Sequence, residues 1–164
     1  MIAANADNLV AKLEWSYDIF LQTNKVEEPI NILEAEIHHE AFDSEMGTFL
    51  GWYYLTGGYY QKAIEVLQQA IDQDPFPDPY NLRIWDAYYL LGKAFIKTQE
   101  YAIAEVHIQK SLSINSNNAE ANANMAFIKY KQTKYEEAKT YINRAMQLNP
   151  DNKRVNEICN LLNS

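Results

Sequence analysis

The chain has 164 residues, of which 48% are hydrophobic and 22% are charged, a composition typical of one globular domain with a sizeable core. Its formal net charge of −8 argues against binding to a nucleic-acid backbone, which requires clustered lysine and arginine side chains. A single cysteine excludes an internal disulfide, and no segment reaches the roughly 20 consecutive apolar residues of a membrane-spanning helix.

The same features lead to an expected compartment. Residues 1–10 lack the basic start and the continuous apolar core of a secretory signal peptide. The lone Cys159 fits a reducing compartment, and its apolar helical neighbours favour a packing role over a reactive one. We therefore expect a cytoplasmic protein with no direct membrane span and no nucleic-acid partner.

The first predicted repeat, residues 10–43, is a degenerate pair of helices. Its leading helix is predicted over residues 8–22. The apolar residues of this helix recur at steps of three and four and are Leu9, Leu13, Tyr17 and Phe20. A turn at residues 23–24 leads to a second helix from about Glu27. Pro29 then falls in the first turn of that helix, where its missing N–H does little harm.

The second predicted repeat, residues 44–77, shows the helix pair most clearly. Residues 56–58 separate two amphipathic helices and end in glycine, which adopts the positive φ of a tight corner at no steric cost. Gly51 in the first helix and Ala63 in the second are small where the two helices must cross closely. Pro75 ends the second helix, because proline cannot continue the hydrogen-bond ladder.

The pattern of the second repeat returns twice, so the chain is a tandem array. The third repeat covers residues 85–118, and the fourth follows directly over residues 119–152. Corresponding positions in these two repeats are Leu91, Gly92, Phe95, Tyr101, Ala104 and Ile108, and then Met125, Ala126, Tyr135, Ala138 and Ile142. The fourth repeat departs from the pattern at Lys129, where the second and third carry Tyr54 and Phe95.

This order of small, aromatic and proline positions resembles the tetratricopeptide repeat family, whose unit is a helix-turn-helix of about 34 residues. The resemblance implies an all-α fold, an α-solenoid of tandem repeats that forms a right-handed superhelix within a single domain over residues 1–164. A last helix is predicted over about residues 153–163. Its apolar stripe consists of Val155, Ile158, Cys159 and Leu162. We expect this helix to cap the array, since a stack of repeats must end without exposing its core.

The interval between the second and third repeats is lengthened by an insertion around residues 75–83. Asp78 is a favourable N-cap and Pro79 a favourable first helical residue, so we predict an extension of the third repeat's leading helix. The apolar residues of this extension are Tyr80, Leu82, Ile84 and Trp85. They must be covered either by the chain itself or by a partner.

Residues offset from the packing stripe of each leading helix are predicted to line a concave groove. The groove residues predicted to bind a partner are Trp15, Asp18, Phe49, Trp52, Leu55, Tyr89, Leu90, Lys93, Ile96, Lys97, Phe127, Tyr130 and Lys131. Acidic residues, among them Glu120, are expected along one rim of the groove, and lysines, among them Lys93, along the other. Large aromatic residues in such a groove act as affinity anchors for a bound polypeptide.

The motifs of catalysis are missing from the sequence. It has no phosphate-binding glycine loop, no Cys-x-x-Cys pair and no His-Glu-x-x-His. We therefore expect no enzyme, no cofactor and no metal site. The family's capture of a C-terminal carboxylate by Lys, Asn and Arg is also not matched. The positions that would supply it carry Thr48, Trp52, Leu90, Glu120 and Asn124.

The groove predicts a protein-protein interaction scaffold, an adaptor or assembly factor that binds a protein or peptide segment. Two alternatives stay open at this stage. One is a self-associating structural subunit, a homodimer formed through Trp85 and the extended helix. The other is a chaperone that shields an apolar segment of a client protein.

Overall fold

The computed structural model describes residues 2–39, 43–73 and 84–162, with side chains described over 10–37, 43–73 and 84–162. Over these ranges the chain forms nine α-helices and no strand, so the all-α prediction is confirmed. The helices are α1 (Ile2–Thr23), α2 (Glu27–His39), α3 (Ser44–Gly57), α4 (Tyr60–Gln73), α5 (Ile84–Lys97), α6 (Tyr101–Ile114), α7 (Ala119–Lys131), α8 (Tyr135–Leu148) and α9 (Lys153–Leu162).

The chain divides into two compact units, unit 1 over Met1–Asn81 and unit 2 over Leu82–Ser164. In unit 1, α1 packs against α2 and α3 against α4, and the two pairs touch through α2 and α3 and through α1 and α3. In unit 2, α5 packs against α6 and α7 against α8, and α7 also contacts α5 and α6. Each predicted repeat is therefore a packed helix pair. The single domain over residues 1–164 stays a prediction.

Two predictions about where helices begin can be compared with the structure. Helix α1 begins at Ile2, earlier than the predicted start at residue 8. Residues 75–83 of the predicted extension lie outside the described residues. Its last two apolar residues, Ile84 and Trp85, begin α5, where Ile84 is buried and Trp85 is half-buried. None of the described helices is both long enough and apolar enough to cross a membrane.

The close crossing of α3 and α4 depends on Gly51. A Cβ atom at this position would lie 2.4 Å from Cγ of Leu67, well inside van der Waals contact. In the third repeat, a Cβ atom on Gly92 would lie 2.7 Å from Cδ1 of Ile108. The prediction of a small residue at this crossing is confirmed, and the side chain that fills the space is the aliphatic residue of the second helix.

All four turns between paired helices contain one residue in the left-handed region. These residues are Asn24 (φ 53°), Gly58 (φ 81°), Gln99 (φ 65°) and Thr133 (φ 62°). They occupy the same position when the four repeats are aligned in register. The predicted glycine corner is therefore confirmed, and the other three repeats make the same corner without glycine.

Backbone hydrogen bonds give the corners of the second, third and fourth repeats the same geometry. Behind Gly58, the N–H of Tyr59 donates to the carbonyl of Tyr54 at 2.8 Å. Glu100 and Lys134 make the equivalent bond, to Phe95 and Lys129, at 2.9 Å in each case. Each bond joins an N–H to the carbonyl five residues earlier, so it satisfies a carbonyl that has no hydrogen-bond partner within the helix.

At two positions the degenerate first repeat has polar residues where the second repeat has apolar ones, Leu50 and Ala70, and these polar residues find partners. Glu36, at an alanine position, is buried and pairs with Lys12 of α1. Ser16, also buried, donates to the carbonyl of Leu13 at 2.8 Å and lies 3.2 Å from the hydroxyl of Tyr53. A buried polar group is tolerated when it is hydrogen-bonded, so this repeat still packs as a helix pair.

Lys129, at the aromatic position of the fourth repeat, is buried, with 7% of its surface exposed. Its ammonium group lies 2.8 Å from Glu105 Oε1 and 2.6 Å from Glu137 Oε2. Gln132 donates a further hydrogen bond of 2.7 Å to the other oxygen of Glu105. An ionic cluster therefore takes the place of the aromatic ring found in the two preceding repeats.

The last helix caps the fourth repeat as predicted. Val155 and Ile158 of α9 are buried in one apolar cluster with Ala126 and Ile142. Cys159 and Leu162 are partly buried against the same cluster. Cys159 is thus a packing residue.

Candidate binding surfaces

In unit 1, the leading helices α1 and α3 bring together a group of aromatic rings. The Trp52 ring centroid lies 4.9 Å from that of Phe20, 6.2 Å from that of Tyr17 and 4.9 Å from that of Tyr53. Tyr53 is wholly buried, while Phe20 and Trp52 are half-buried. Trp52 is thereby held on a rigid base with part of its ring exposed.

Helix α1 leaves unusually large apolar side chains in solvent beside this group. Tyr17 is 42% exposed and Leu21 is 61% exposed, and they are neighbours at i, i+4 spacing. Val10 is also exposed and lies two helical turns before Tyr17, on the same face. We name the surface made by Val10, Tyr17, Phe20, Leu21 and Trp52 the aromatic patch.

The aromatic patch differs in membership from the predicted groove. Trp15 is exposed, but its helical phase places it on a different side of α1 from Tyr17. Tyr17 and Phe20, which lie next to Trp52, were predicted as packing residues. One signal in the sequence could have found Tyr17, because it stands where the second repeat has Gly51. A ring that cannot fit a close crossing must project outwards.

In unit 2, a polar network joins the leading helices α5 and α7 to the N-terminal part of α9. The hydroxyl of Tyr89 donates to Glu120 Oε2 at 2.6 Å, and the amide of Asn152 donates to Oε1 at 3.1 Å. Arg154 donates from Nε and from Nη2 to Asn124 Oδ1, both at 3.3 Å. The amide of Asn124 in turn lies 3.5 Å from the Tyr89 hydroxyl.

Cations surround the aromatic rings beside this network. The Lys93 ammonium lies 5.8 Å from the ring centroid of Tyr89. Around Phe127, the Lys131 ammonium lies 5.4 Å and the Arg154 guanidinium carbon 5.7 Å from the ring centroid. These are distances for cation-π attraction. We name the surface made by Tyr89, Lys93, Lys97, Phe127, Lys131 and Arg154 the cationic face.

The ionisable groups of the cationic face are perturbed by burial and by each other. Burial lowers the pKa of Lys93; the Glu120 charge opposes this effect, and the Arg154 and Lys97 charges add to it. Burial alone would raise the pKa of Glu120. The pKa is instead lowered, since hydrogen bonds from Tyr89 and Asn152 and the charges of Lys93 and Arg154 outweigh burial.

These interactions correct one expectation. Glu120 and Lys93 were predicted on opposite rims of a groove, yet their charges attract each other in the structure. The reason is that Glu120 occupies the first turn of α7, next to α5, and accepts from Tyr89. Acidic and basic residues are therefore mixed on this part of the surface.

The predicted groove residues fall into three groups by exposure. Buried are Leu55, Tyr89, Leu90 and Ile96; half-buried are Phe49, Trp52, Lys93, Phe127 and Tyr130; exposed are Trp15, Asp18, Lys97 and Lys131. Buried members offer a partner little surface and contribute mainly to packing. A binding role for these residues stays a prediction.

Arg154 is the main residue that sequence reasoning missed. In the repeat register it stands where the fourth repeat has Glu120, but on a helix that was predicted only as a cap. A cap helix that packs on α7 also extends the surface formed by the leading helices. The repeat register alone could have identified Arg154.

Comparisons with known proteins agree with this architecture. Tetratricopeptide repeat models match residues 48–77 and 86–118, and residues 119–152. A comparison with curated proteins gave no significant match.

Three solved structures represent the folds that this chain resembles. A chain of the APC/C hetero-tetramer Cut9-Hcn1 has a TM-score of 0.83 at 15% identity, over 94% of this chain and 30% of that chain. MamA has a TM-score of 0.73 at 19% identity, over 88% of this chain and 81% of that chain. The first TPR of Spaghetti (RPAP3), bound to the HSP90 peptide SRMEEVD, has a TM-score of 0.60 at 22% identity, over 74% and 94%.

At these identities the likeness concerns the fold. The chain spans less than a third of the Cut9-Hcn1 chain that it matches. The two repeat models together match more than half of the chain, in the register of the second, third and fourth repeats. The protein belongs to the tetratricopeptide repeat family.

Proposed function

We propose that this protein is an adaptor that binds a segment of another polypeptide through the exposed surfaces of its leading helices. Repeat proteins of this kind use such surfaces for protein-protein interaction. A non-catalytic role is part of the proposal, as is a groove lined by the aromatic residues of successive repeats. One structural neighbour, the first TPR of Spaghetti, is bound to a peptide, which supports a peptide-binding use of this fold.

The aromatic patch of unit 1 is the observation that carries the proposal. Tyr17 and Leu21 are exposed beside Trp52, whose ring packs on Phe20 and Tyr53. Contiguous exposed apolar side chains mark interaction sites in folded proteins. A ring held rigidly on a buried base loses little conformational entropy on binding, as affinity anchors do.

Affinity capture with the full chain from its native cells, followed by mass spectrometry, tests the proposal. Leu21→Ala and Trp52→Ala are expected to reduce capture of the principal partner at least tenfold. The matched control is Ile103→Ala on α6, because Ile103 is also an exposed aliphatic residue, at 42%, and lies outside the patch. Circular dichroism verifies the fold of each variant. Capture by folded Leu21→Ala that equals wild-type capture would refute the proposal.

The two alternative functions give different results in the same experiments. A stable dimer in light scattering that Leu21→Ala converts to a monomer would indicate a self-associating subunit. Capture of one dominant client whose bound segment is uniformly apolar would indicate a chaperone. An adaptor is expected to remain monomeric and to retain a folded partner.

A further inference from the structure

The cationic face of unit 2 has a charge opposite to that of the protein as a whole. The net charge of the chain is −8, yet four cations, Lys93, Lys97, Lys131 and Arg154, lie on this face. Glu120 is the carboxylate of the network. Both of its oxygens already accept hydrogen bonds, from Tyr89 and Asn152.

The Lys93 ammonium is partly desolvated and has no hydrogen-bond acceptor within the described part of the chain. Among the described residues, its ammonium makes no hydrogen bond or ion pair, and its contact is the ring of Tyr89. Burial and the like charges of Lys97 and Arg154 act against its charged form. An unpaired ammonium in such a setting gains most from an incoming anion, because the desolvation cost has already been met by the fold.

Arg154 keeps donor capacity for an anion as well. A guanidinium has five N–H donors, and in the described structure Arg154 uses two of its nitrogens on one neutral acceptor, Asn124 Oδ1. Its ion pair with the exposed Glu157 is long, at 3.7 Å. The contact with Phe127 holds the guanidinium over an apolar ring.

The cations come from three different helices, α5, α7 and α9. The axes of packed helices are about 8–10 Å apart, so four cations on three helices offer separate partners to several carboxylates along a bound segment. Phe127, within cation-π distance of Lys131 and Arg154, supplies an apolar contact between them. The number of cations therefore favours a segment with several acidic side chains over a single terminal carboxylate.

We propose that the cationic face binds an acidic segment of a partner protein, whose internal Asp or Glu side chains pair with Lys93, Lys131 and Arg154 while an apolar neighbour packs on Phe127. This inference rests on the proposed function and specifies the chemistry of the partner. Charge-assisted hydrogen bonds of this kind strengthen in a partly desolvated site.

Fluorescence anisotropy with defined peptides tests the inference on the full chain. The probe is a labelled, C-terminally amidated peptide of alternating Glu and Leu, compared with Gln-Leu and Lys-Leu peptides of equal length. The Glu-Leu peptide is expected to bind at least tenfold more tightly than either, with affinity falling as salt rises. A free-acid form that alone binds would overturn the inference in favour of a terminal carboxylate.

Variants locate the site. Lys93→Gln and Lys131→Gln are each expected to weaken the Glu-Leu peptide about three- to tenfold. Lys110→Gln is the matched control. Lys110 lies on α6, outside the cationic face, and its ammonium is 5.4 Å from the ring centroid of Tyr88. Equal weakening by the control would show non-specific attraction and overturn the inference. Tighter binding of a short single-stranded DNA than of the peptide would also overturn it.

The result can be separated from that of the proposed function. If Leu21→Ala abolishes partner capture while all three peptides bind alike, the adaptor function stands and the acidic-segment inference fails. If the Glu-Leu peptide binds at Lys93 and Lys131 but Leu21→Ala leaves capture unchanged, the role of the aromatic patch fails instead.

Discussion

Tyr89 donates a hydrogen bond of 2.6 Å to Glu120 and so joins the leading helices α5 and α7. Tyr89 is buried, and burial together with the Glu120 charge raises the pKa of its phenol well above the ordinary value. The phenol therefore remains a donor, facing a carboxylate, at physiological pH. A hydrogen bond to a charged acceptor is stronger than one between neutral groups, so this contact supports the geometry of the cationic face.

Removal of that hydroxyl by Tyr89→Phe is expected to destabilise the fold by about 1–3 kcal/mol. Glu120 would lose a donor while remaining partly desolvated. Tyr88→Phe is the matched control, because Tyr88 is half-buried at the preceding position of α5, and a change within about 0.5 kcal/mol is expected. Urea unfolding followed by circular dichroism measures both. Equal losses for the two variants would contradict the assigned role of Tyr89.

The lowered pKa of Glu120 makes a prediction about pH. Its folded-state pKa lies below the ordinary value of 4.5, so the carboxylate contributes stability above that value and loses it as pH falls through the folded pKa. The difference in unfolding free energy between wild type and Glu120→Gln is thus expected to be constant near pH 7 and to shrink below about pH 4.5. Urea unfolding of both proteins at a series of pH values from 7 to 3 measures this difference. A difference that grows towards low pH would contradict the assignment.

The left-handed corners show how far sequence reasoning reaches. Gly58 identified a corner, because glycine adopts positive φ freely. Gln99 and Thr133 make the same corner but give no local signal, since L-residues with large side chains seldom adopt it. The repeat register was the available clue, because helix packing fixes the backbone at that position whatever the residue.

The binding surfaces were harder to predict than the helices. Hydrophobic periodicity indicated the paired helices and the apolar stripe of α9. It could not indicate that Tyr17 would join Trp52, or that Arg154 would donate to Asn124, because both contacts join different helices. Which side chains meet across helices depends on crossing geometry, which a single helical pattern does not contain.

Thr133→Gly is expected to stabilise the protein by about 0.5–1 kcal/mol, because a β-branched residue in the left-handed region carries a steric cost of about 1–2 kcal/mol and the unfolded-state entropy of glycine offsets part of that gain. Thr133 has a φ of 62°. The control is Thr98→Gly, directly before Gln99, where φ is not positive and glycine should destabilise. Thermal unfolding measures both, and a lower Tm for Thr133→Gly would refute the argument.

Gly51→Ala is expected to destabilise the protein by about 1–3 kcal/mol. The added methyl group would lie 2.4 Å from Cγ of Leu67, so α3 and α4 must separate or Leu67 must leave its rotamer. Leu67→Ala in the same background should recover part of the loss, because it removes the clashing atoms. Urea unfolding of the two single variants and the double variant gives the coupling. Strictly additive losses would show that the crossing at Gly51 is not tight.

The ionic cluster around Lys129 provides a last prediction, based on the aromatic residue that it replaces. Lys129→Phe restores the residue type found at Phe95, yet it leaves Glu105 without the cation that lies 2.8 Å away. The pKa of Glu105 is lowered in spite of burial, through its bonds with Lys129 and Gln132. Loss of one partner of a buried pair costs more than the pair contributes, so we expect a loss of about 1–3 kcal/mol, below the fully buried case because Glu105 is partly exposed.

The same reasoning predicts that the cost depends on the carboxylate and not on ring size. Glu105→Gln combined with Lys129→Phe should be less destabilised than the sum of the single variants, with a coupling of about 1 kcal/mol. Lys139→Phe is the control, because Lys139 pairs with Glu136 on the exposed surface of α8, where ion pairs contribute little. If Lys129→Phe proved as stable as wild type, the aromatic position would tolerate either chemistry. The presence of a buried ion pair in place of the aromatic residue would then have no effect on stability.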